Sequence, residues 1–272
     1  MSAPLQGHRA RKRFGQNFLQ DPGMIRRIVR AIGPSSKDHL VEIGPGTGAI
    51  TELLLEAEVR LDAVELDRDL VPGLRVKFFN EPRFTIHEAD ALKFDFASLK
   101  QEDEKLRIVG NLPYNISTPL IFHLLGFEGV VQDMHFMLQK EVVERLAASP
   151  GTGQWGRLSV MAQYFCDVEQ LFLVPPECFH PKPKVDSAIV RLTPKAVPDT
   201  RVADLDSFAA TLRQAFSQRR KTLRNNMKGS ISGEQLESLN LDPQRRPETL
   251  TLEEFVTLAN FHHQSATNSA RN

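Results

Sequence analysis

A glycine-rich turn and three polar residues, each closing an apolar run, carry the chemistry legible in this chain. Gly44, Gly46 and Gly48 alternate with Pro45 and Thr47 directly after the apolar stretch 40–43. Lacking Cβ atoms, they let the backbone turn tightly and let a ligand lie against its N–H groups, as at the nucleotide turn of a parallel α/β sheet. Glu65 follows Gly44 by 21 positions, close to the roughly 20 at which an acid accepts from ribose hydroxyls. Asp90 closes a third run, where it can accept from an adenine amino group, and Asn111 closes a fourth. Each acid alone reads as a cap or a surface charge. At successive strand ends they favour a nucleoside ligand. Gly44, Gly46 and Ala49 also satisfy the dinucleotide pattern with alanine last, so NAD is a rival at this point.

For these residues to meet, the segments between them must alternate. Residues 40–43, 60–64, 83–87, 106–109 and 133–138 read as strands. Residues 49–58, 67–79, 117–125 and 140–148 read as helices, the second with a break at Pro72-Gly73. This alternation predicts a parallel sheet wrapped by helices, with its ligand at the carboxyl ends of the strands. Upstream, Asp21-Pro22 marks the start of a helix carrying Met24, Ile25, Ile28, Val29 and Ile32, which stops at Gly33-Pro34. Downstream, 151–156 reads as a loop, and 167–174 with 187–193 as an antiparallel edge hairpin. Pro194 and Pro198 mark a linker, after which Phe208, Leu212, Phe216, Leu236, Phe255 and Leu258 follow a helical pattern. The expected divisions are a basic segment 1–20, a sheet domain 21–198, a helical domain 199–263 and a disordered tail 264–272.

The chain has 272 residues, 41% of them hydrophobic, enough for one large domain or a domain with a smaller partner. No apolar run is long enough to span a bilayer, and the N-terminal stretch is polar and basic. Its two cysteines, Cys166 and Cys178, supply neither a disulfide framework nor a four-ligand zinc site, and read as packing residues. A cytoplasmic protein without metal or membrane contact is expected. His135, among apolar neighbours, reads as a satisfied core histidine. Net charge is zero but unevenly placed: residues 1–13 carry +4 and residues 207–233 carry +6, leaving −10 elsewhere. Two basic blocks on a neutral chain point to a localised anionic partner.

The choice of ligand turns on Asn111-Leu112-Pro113-Tyr114. The glycine loop resembles the first motif of S-adenosylmethionine methyltransferases, and this tetrapeptide looks like the signature of amino-methyltransferases acting on nucleobases. An exocyclic adenine amine is a poor nucleophile because its lone pair is delocalised into the ring. The Asn111 side-chain oxygen and the Leu112 carbonyl can each accept one N–H, which aims the lone pair and stabilises charge developing on nitrogen. Pro113 fixes the turn and removes a competing donor. Tyr114 offers a face for the extruded base.

From Arg9 to Phe261 the chain resembles the small-subunit ribosomal RNA adenine N6,N6-dimethyltransferase family. The matching segments begin at Lys12-Arg13-Phe14-Gly15-Gln16-Asn17-Phe18-Leu19 and include the glycine loop, Val64-Glu65-Leu66-Asp67, Asn111 to Ser117, Met137 to Glu141 and Phe179 to Ser187. Trp155 departs from it, standing where the family more often has tyrosine. The resemblance implies a Rossmann-like methyltransferase sheet with helices on both faces, plus a small C-terminal all-helical domain. It implies two adjacent adenosines near the 3′ end of small-subunit RNA, each dimethylated within a ribosomal subunit precursor by a monomeric enzyme. Asn17 and Leu19 would close over the amino-acid end of S-adenosylmethionine, with Gly44 and Gly46 lining it, Glu65 on the ribose, and Asp90 with Ala91 on the adenine. Asn111 would also touch this donor. Phe179, a core residue by type alone, would face the target base opposite Tyr114. RNA contacts are expected from Arg11, Lys12, Arg13, Lys182, Lys184, Arg219, Arg220, Lys221 and Arg224. The alternatives are a large-subunit RNA adenine methyltransferase of the resistance type, an assembly factor that mainly binds RNA, and the NAD-dependent oxidoreductase.

Overall fold

The computed structural model describes residues 17–101, 103–195 and 201–269. Arg11, Lys12, Arg13 and Pro198 lie outside them. The chain divides into two compact units, Met1–Val143 with Val168–Pro194, and Glu144–Asp167 with Lys195–Asn272.

The first unit runs β1 (Phe18–Leu19), α1 (Pro22–Ile32), β2 (His39–Ile43), α2 (Ala49–Glu56), β3 (Arg60–Glu65), α3 (Val71–Lys77), β4 (Phe84–Glu88), β5 (Leu106–Asn111), α4 (Tyr114–Leu125) and β6 (Val131–Gln139), which leads into α5 (Lys140–Leu146). After α6 (Arg157–Phe165) the chain continues through β7 (Cys166–Val174), β8 (Phe179–His180) and β9 (Ser187–Pro194). Seven strands form one sheet in the order β4-β3-β2-β5-β6-β9-β7. The pairs β4-β3, β3-β2, β2-β5 and β5-β6 are parallel, while β9 runs antiparallel to β6. The order turns back at β2, which separates β3 from β5. Ligands of open α/β sheets bind beside such a reversal. Gly110 permits the tight β2–β5 pairing: a Cβ there would stand 2.6 Å from the Ile43 carbonyl oxygen.

Local signals explain the helix ends. The Asp21 side chain accepts from the Met24 N–H at 2.6 Å, and Gly33 ends α1 in the left-handed region at φ 59°. The second helix of the alternation begins at Val71 rather than Asp67. Pro72 sits in its first turn, where a missing N–H costs nothing, so Pro72-Gly73 starts this helix instead of breaking it. The strands expected as an edge hairpin are neighbours, with β7 outermost and β9 enclosed between β6 and β7. A further two-stranded sheet, absent from the sequence pattern, pairs β1 with β8. Leu19 stands opposite Phe179, and Phe18 opposite His180.

The second unit adds α7 (Leu205–Ala215), α8 (Leu223–Asn226), α9 (Gly233–Ser238) and α10 (Leu252–Ser269). Its core joins Trp155, Val160 and Tyr164 to Phe208, Leu212 and Phe255, and the Trp155 indole N–H donates to the Leu250 carbonyl at 2.9 Å. Residues 144–167 therefore pack with the helical unit, where the sequence division at 198 had put them with the sheet. At the other end α10 runs on to Ser269, through most of the stretch expected as a disordered tail. His135 is buried, as the sequence suggested, with its Nδ1 3.3 Å from the Asp133 carboxylate.

Candidate active site

The carboxyl ends of β2, β3 and β5 open into one cavity of about 540 Å³. Its wall contains Asn17, Leu19, Gly44, Gly46, Glu65, Asp90, Ala91, Asn111, Leu112, Pro113, Tyr114 and Phe179. The sheet thus gathers every residue that the sequence singled out for the donor and the chemistry.

The glycine loop forms the floor. Gly44 takes φ 67° and donates to the Val64 carbonyl at 2.9 Å, which ties the loop to β3. Gly46 takes φ 60°, and a Cβ on it would come 3.2 Å from the Phe18 ring. Lys77 holds the outer side, its Nζ 3.4 Å from the Gly48 carbonyl oxygen and 3.0 Å from Glu52. Glu65 is buried at the end of β3. It accepts from the Asp67 N–H at 2.8 Å and, more weakly, from the Gly46 N–H at 3.4 Å. Burial pushes its carboxyl above the ordinary range despite these donors. The Asp90 carboxylate accepts from the Leu92 N–H at 3.0 Å, which fixes its turn at the cavity edge.

Glu42 is a residue that sequence reasoning left without a role. It lines the cavity beneath the loop, fully buried, and accepts from the Thr51 hydroxyl at 2.5 Å. Burial pushes its pKa up to about 7. The available signal was an acid inside the otherwise apolar stretch 40–43.

The chemistry-bearing turn follows β5. The Asn111 side-chain amide donates to the Asn17 carbonyl at 3.2 Å. With its N–H group committed there, the amide offers Oδ1 as its acceptor. The Leu112 N–H donates to the Met137 carbonyl at 3.1 Å, which anchors the turn to β6. Pro113 caps α4 in an extended conformation, so Tyr114 begins the helix and remains 64% exposed at the cavity wall. Phe179 is only 6% exposed; the β1–β8 pairing secures it against Leu19.

Residues 7–264 match the family model described as ribosomal RNA adenine dimethylase. The chain belongs to that family. Among curated members it is 59% identical over 270 residues to ribosomal RNA small subunit methyltransferase A of Chromohalobacter salexigens, an alignment covering 98% of this chain and 96% of the relative. To the protein of the same name from Pseudomonas aeruginosa it is 62% identical over 256 residues, covering 94% of this chain and 96% of the relative. Among solved structures, a dimethyladenosine transferase from Plasmodium falciparum superposes with a TM-score of 0.77 at 27% identity, covering 92% of this chain and 98% of that one. The 23S rRNA methyltransferase ErmE, at 24% identity and a TM-score of 0.71, shares the fold over 91% of this chain and all of its own.

In this dimethylase the expected RNA-contacting cations stand differently. Lys182 is exposed and paired with Glu177 at 2.5 Å, and Lys184 is exposed beside it. Arg219, Arg220, Lys221 and Arg224 are exposed in the helical unit, and the Arg219 guanidinium donates to the Gly153 carbonyl. The loop bearing Arg219, Arg220 and Lys221 is held by Asn226, buried below it. Asn226 accepts from the Ser217 hydroxyl at 3.1 Å and the Gln218 N–H at 3.2 Å, and donates to the Gln218 carbonyl at 3.2 Å and the Lys221 carbonyl at 3.4 Å.

Proposed function

We propose that the protein transfers methyl groups to the N6 amines of two adjacent adenosines near the 3′ end of small-subunit ribosomal RNA, giving N6,N6-dimethyladenosine during subunit assembly. The observation that carries the mechanism is the Asn111 amide, turned by the Asn17 carbonyl so that its oxygen is the acceptor offered at the cavity.

The methyl donor is S-adenosylmethionine, which when bound would supply an electrophilic methyl carbon on a sulfonium and, as that C–S bond breaks, would leave as S-adenosylhomocysteine. The cavity suits it on its own evidence. The loop is pared to glycine where a Cβ on residue 46 would meet the Phe18 ring. Two buried carboxyl groups, Glu42 and Glu65, give the wall hydrogen-bond acceptors that suit a ligand bearing a ribose diol. Asn17 and Leu19 would cover its amino-acid end, Gly44 and Gly46 would underlie it, Glu65 would take the ribose hydroxyls, and Asp90 with Ala91 would hold the adenine.

The target adenine, extruded from its strand, stacks on Tyr114 with Phe179 opposite. Asn111 Oδ1 and the Leu112 carbonyl each accept one N–H of the amine. The lone pair is thereby directed at the methyl carbon, and positive charge growing on nitrogen meets two fixed dipoles. No base need act before attack, because the alkylated ammonium is itself acidic. In the second transfer one acceptor releases its N–H, since the amine then carries a methyl in place of one hydrogen. Arg11, Lys12, Arg13, Lys182, Lys184 and the cations of the helical unit neutralise RNA phosphates. A cytoplasmic monomer fits this reading, with the cavity lined by residues of one chain.

Incubation with isotopically labelled S-adenosylmethionine and RNA of both ribosomal subunits, followed by nucleoside mass spectrometry, tests this reading. Labelled N6,N6-dimethyladenosine should appear in small-subunit RNA. Label confined to large-subunit RNA would establish the resistance-type alternative.

A further inference from the structure

The helical unit contains a second concavity, of about 730 Å³, bounded by Thr222, Arg224, Asn225, Lys228, Ser232 and Gln244. It is a constructed feature. The Leu223 N–H donates to the Arg245 carbonyl at 2.7 Å and the Arg224 N–H to the Pro243 carbonyl at 3.0 Å, which draws residues 243–245 onto α8 and sets Gln244 at the rim. The Arg224 side chain lies along Gly233, its Nε 3.5 Å from where a Cβ would stand. At the entrance of α9, Ser232 and Gln235 cap one another: the Ser232 N–H donates to Gln235 Oε1 at 2.8 Å, and the Gln235 N–H to Ser232 Oγ at 3.2 Å. The capping box occupies the Ser232 and Gln235 N–H groups, and the side chains of Arg224 and Lys228 supply the positive charge.

Among the described residues no carboxylate lines this concavity, and neither cation has an ion pair or a side-chain hydrogen bond. The acids nearest in sequence, Glu234 and Asp242, are exposed and form no part of the lining. The lining also has no aromatic side chain and only one aliphatic one, Ile231, which is itself buried. A nucleobase would find no face to stack on. A guanidinium fork, an ammonium point charge and neutral amide donors instead match the demands of a phosphodiester.

We propose that this concavity binds a phosphodiester of the RNA backbone, with Arg224 and Lys228 as its cations and Asn225 and Gln244 as neutral donors. The assignment rests on the RNA-methylating reading and adds a defined backbone subsite that touches no base. It therefore contributes affinity and register, and it carries no sequence preference.

The test is the salt dependence of small-subunit RNA binding by the full chain, comparing wild type, R224Q/K228Q, the single variant K228Q and a charge-matched control, K37Q/K105Q. Lys37 and Lys105 are exposed and precede β2 and β5, at the end of the sheet away from the active-site cavity. For R224Q/K228Q the slope of log affinity against log salt should flatten by about 1 to 2, with affinity lowered on the order of tenfold at low salt. K228Q should fall between, and K37Q/K105Q should match wild type. An unchanged slope in R224Q/K228Q at unchanged melting temperature overturns the proposal, as does an equal loss in the control, which would make net charge the cause. Inorganic phosphate supplies a further arm. If it raises the wild-type melting temperature through Arg224 and Lys228 while RNA affinity ignores both residues, the site takes a small free anion instead. Methyl incorporation by wild type, measured on the same RNA, reports separately on the underlying reading.

Discussion

The side-chain amide of Asn111 donates to the main-chain carbonyl of Asn17 at 3.2 Å, joining residues 94 positions apart. Asn17 directly precedes β1, and β1 pairs with β8, which carries Phe179. One short two-stranded ribbon therefore brings together three parts of the proposed reaction: cover for the donor, the orientation of the Asn111 amide, and an aromatic wall for the base.

That relationship separates two substitutions. Asn111→Ala removes the acceptor and should abolish transfer while RNA affinity stays near wild type. Asn111→Asp keeps an acceptor for the amine but loses the donor to Asn17 and sets a second oxygen against its carbonyl. Losing such a bond costs roughly 1–3 kcal/mol, so the single-turnover rate should drop by about tenfold to a hundredfold. A rate for Asn111→Asp equal to wild type would show that Asn17 does not orient the amide.

Gly46→Ala tests the donor's seat. The new Cβ would stand 3.2 Å from the Phe18 ring at a φ of 60°, and an L-residue pays about 1–2 kcal/mol for that conformation. Calorimetric titration with S-adenosylmethionine should show affinity reduced by roughly tenfold or more. An unchanged dissociation constant would mean that the loop does not approach the ligand as described.

Glu42 gives the stability a pH signature. Burial raises its carboxyl from 4.5 to about 7 in the folded protein. Between those values the folded state binds the proton more tightly than the unfolded chain does. Stability therefore declines as pH rises from about 4.5 to about 7, and the loss persists above that. Glu42→Gln, which can keep the Thr51 bond through its carbonyl oxygen, should match wild type at low pH and exceed it at pH 8, by at most ~3 kcal/mol. Calorimetric melting across that range checks the sign; a variant less stable than wild type at pH 8 would contradict it.

The positions of Gly44, Glu65, Asp90 and Asn111 were legible because each follows a run long enough to show as a strand, and a parallel sheet brings strand ends together whatever its helices do. The ribbon of β1 and β8 was not legible, since two residues carry no periodicity and their partners lie far apart in sequence. The place of residues 144–167 was hidden for another reason. Trp155 and Tyr164 are apolar in either unit, and only packing against Phe208 and Leu250 decides which one holds them. Glu42 was masked by its own motif, where the adjoining glycines drew the chemical reading. Lys182 has the right charge, but its pairing with Glu177 depends on the turn between them and leaves no mark in residue type or spacing.

Asn226 tests how the basic loop is presented. Alanine there leaves the Gln218 and Lys221 carbonyls and the Gln218 N–H without their buried partner, at a cost of about 1–3 kcal/mol. The melting temperature should fall, and RNA affinity should weaken at temperatures where the protein is still folded. Wild-type RNA affinity in Asn226→Ala would show that the order of the loop is irrelevant to binding.

The most direct measurement is the count and location of methyl groups that wild type and Asn111→Ala add to small-subunit precursor RNA. Nucleotide-resolution mass spectrometry with labelled donor should find four methyls per RNA for wild type, two on each of two adjacent adenosines near the 3′ end, and none for Asn111→Ala. Methylation elsewhere, or the same pattern from the alanine variant, would contradict the assignment of the reaction to this turn and this RNA.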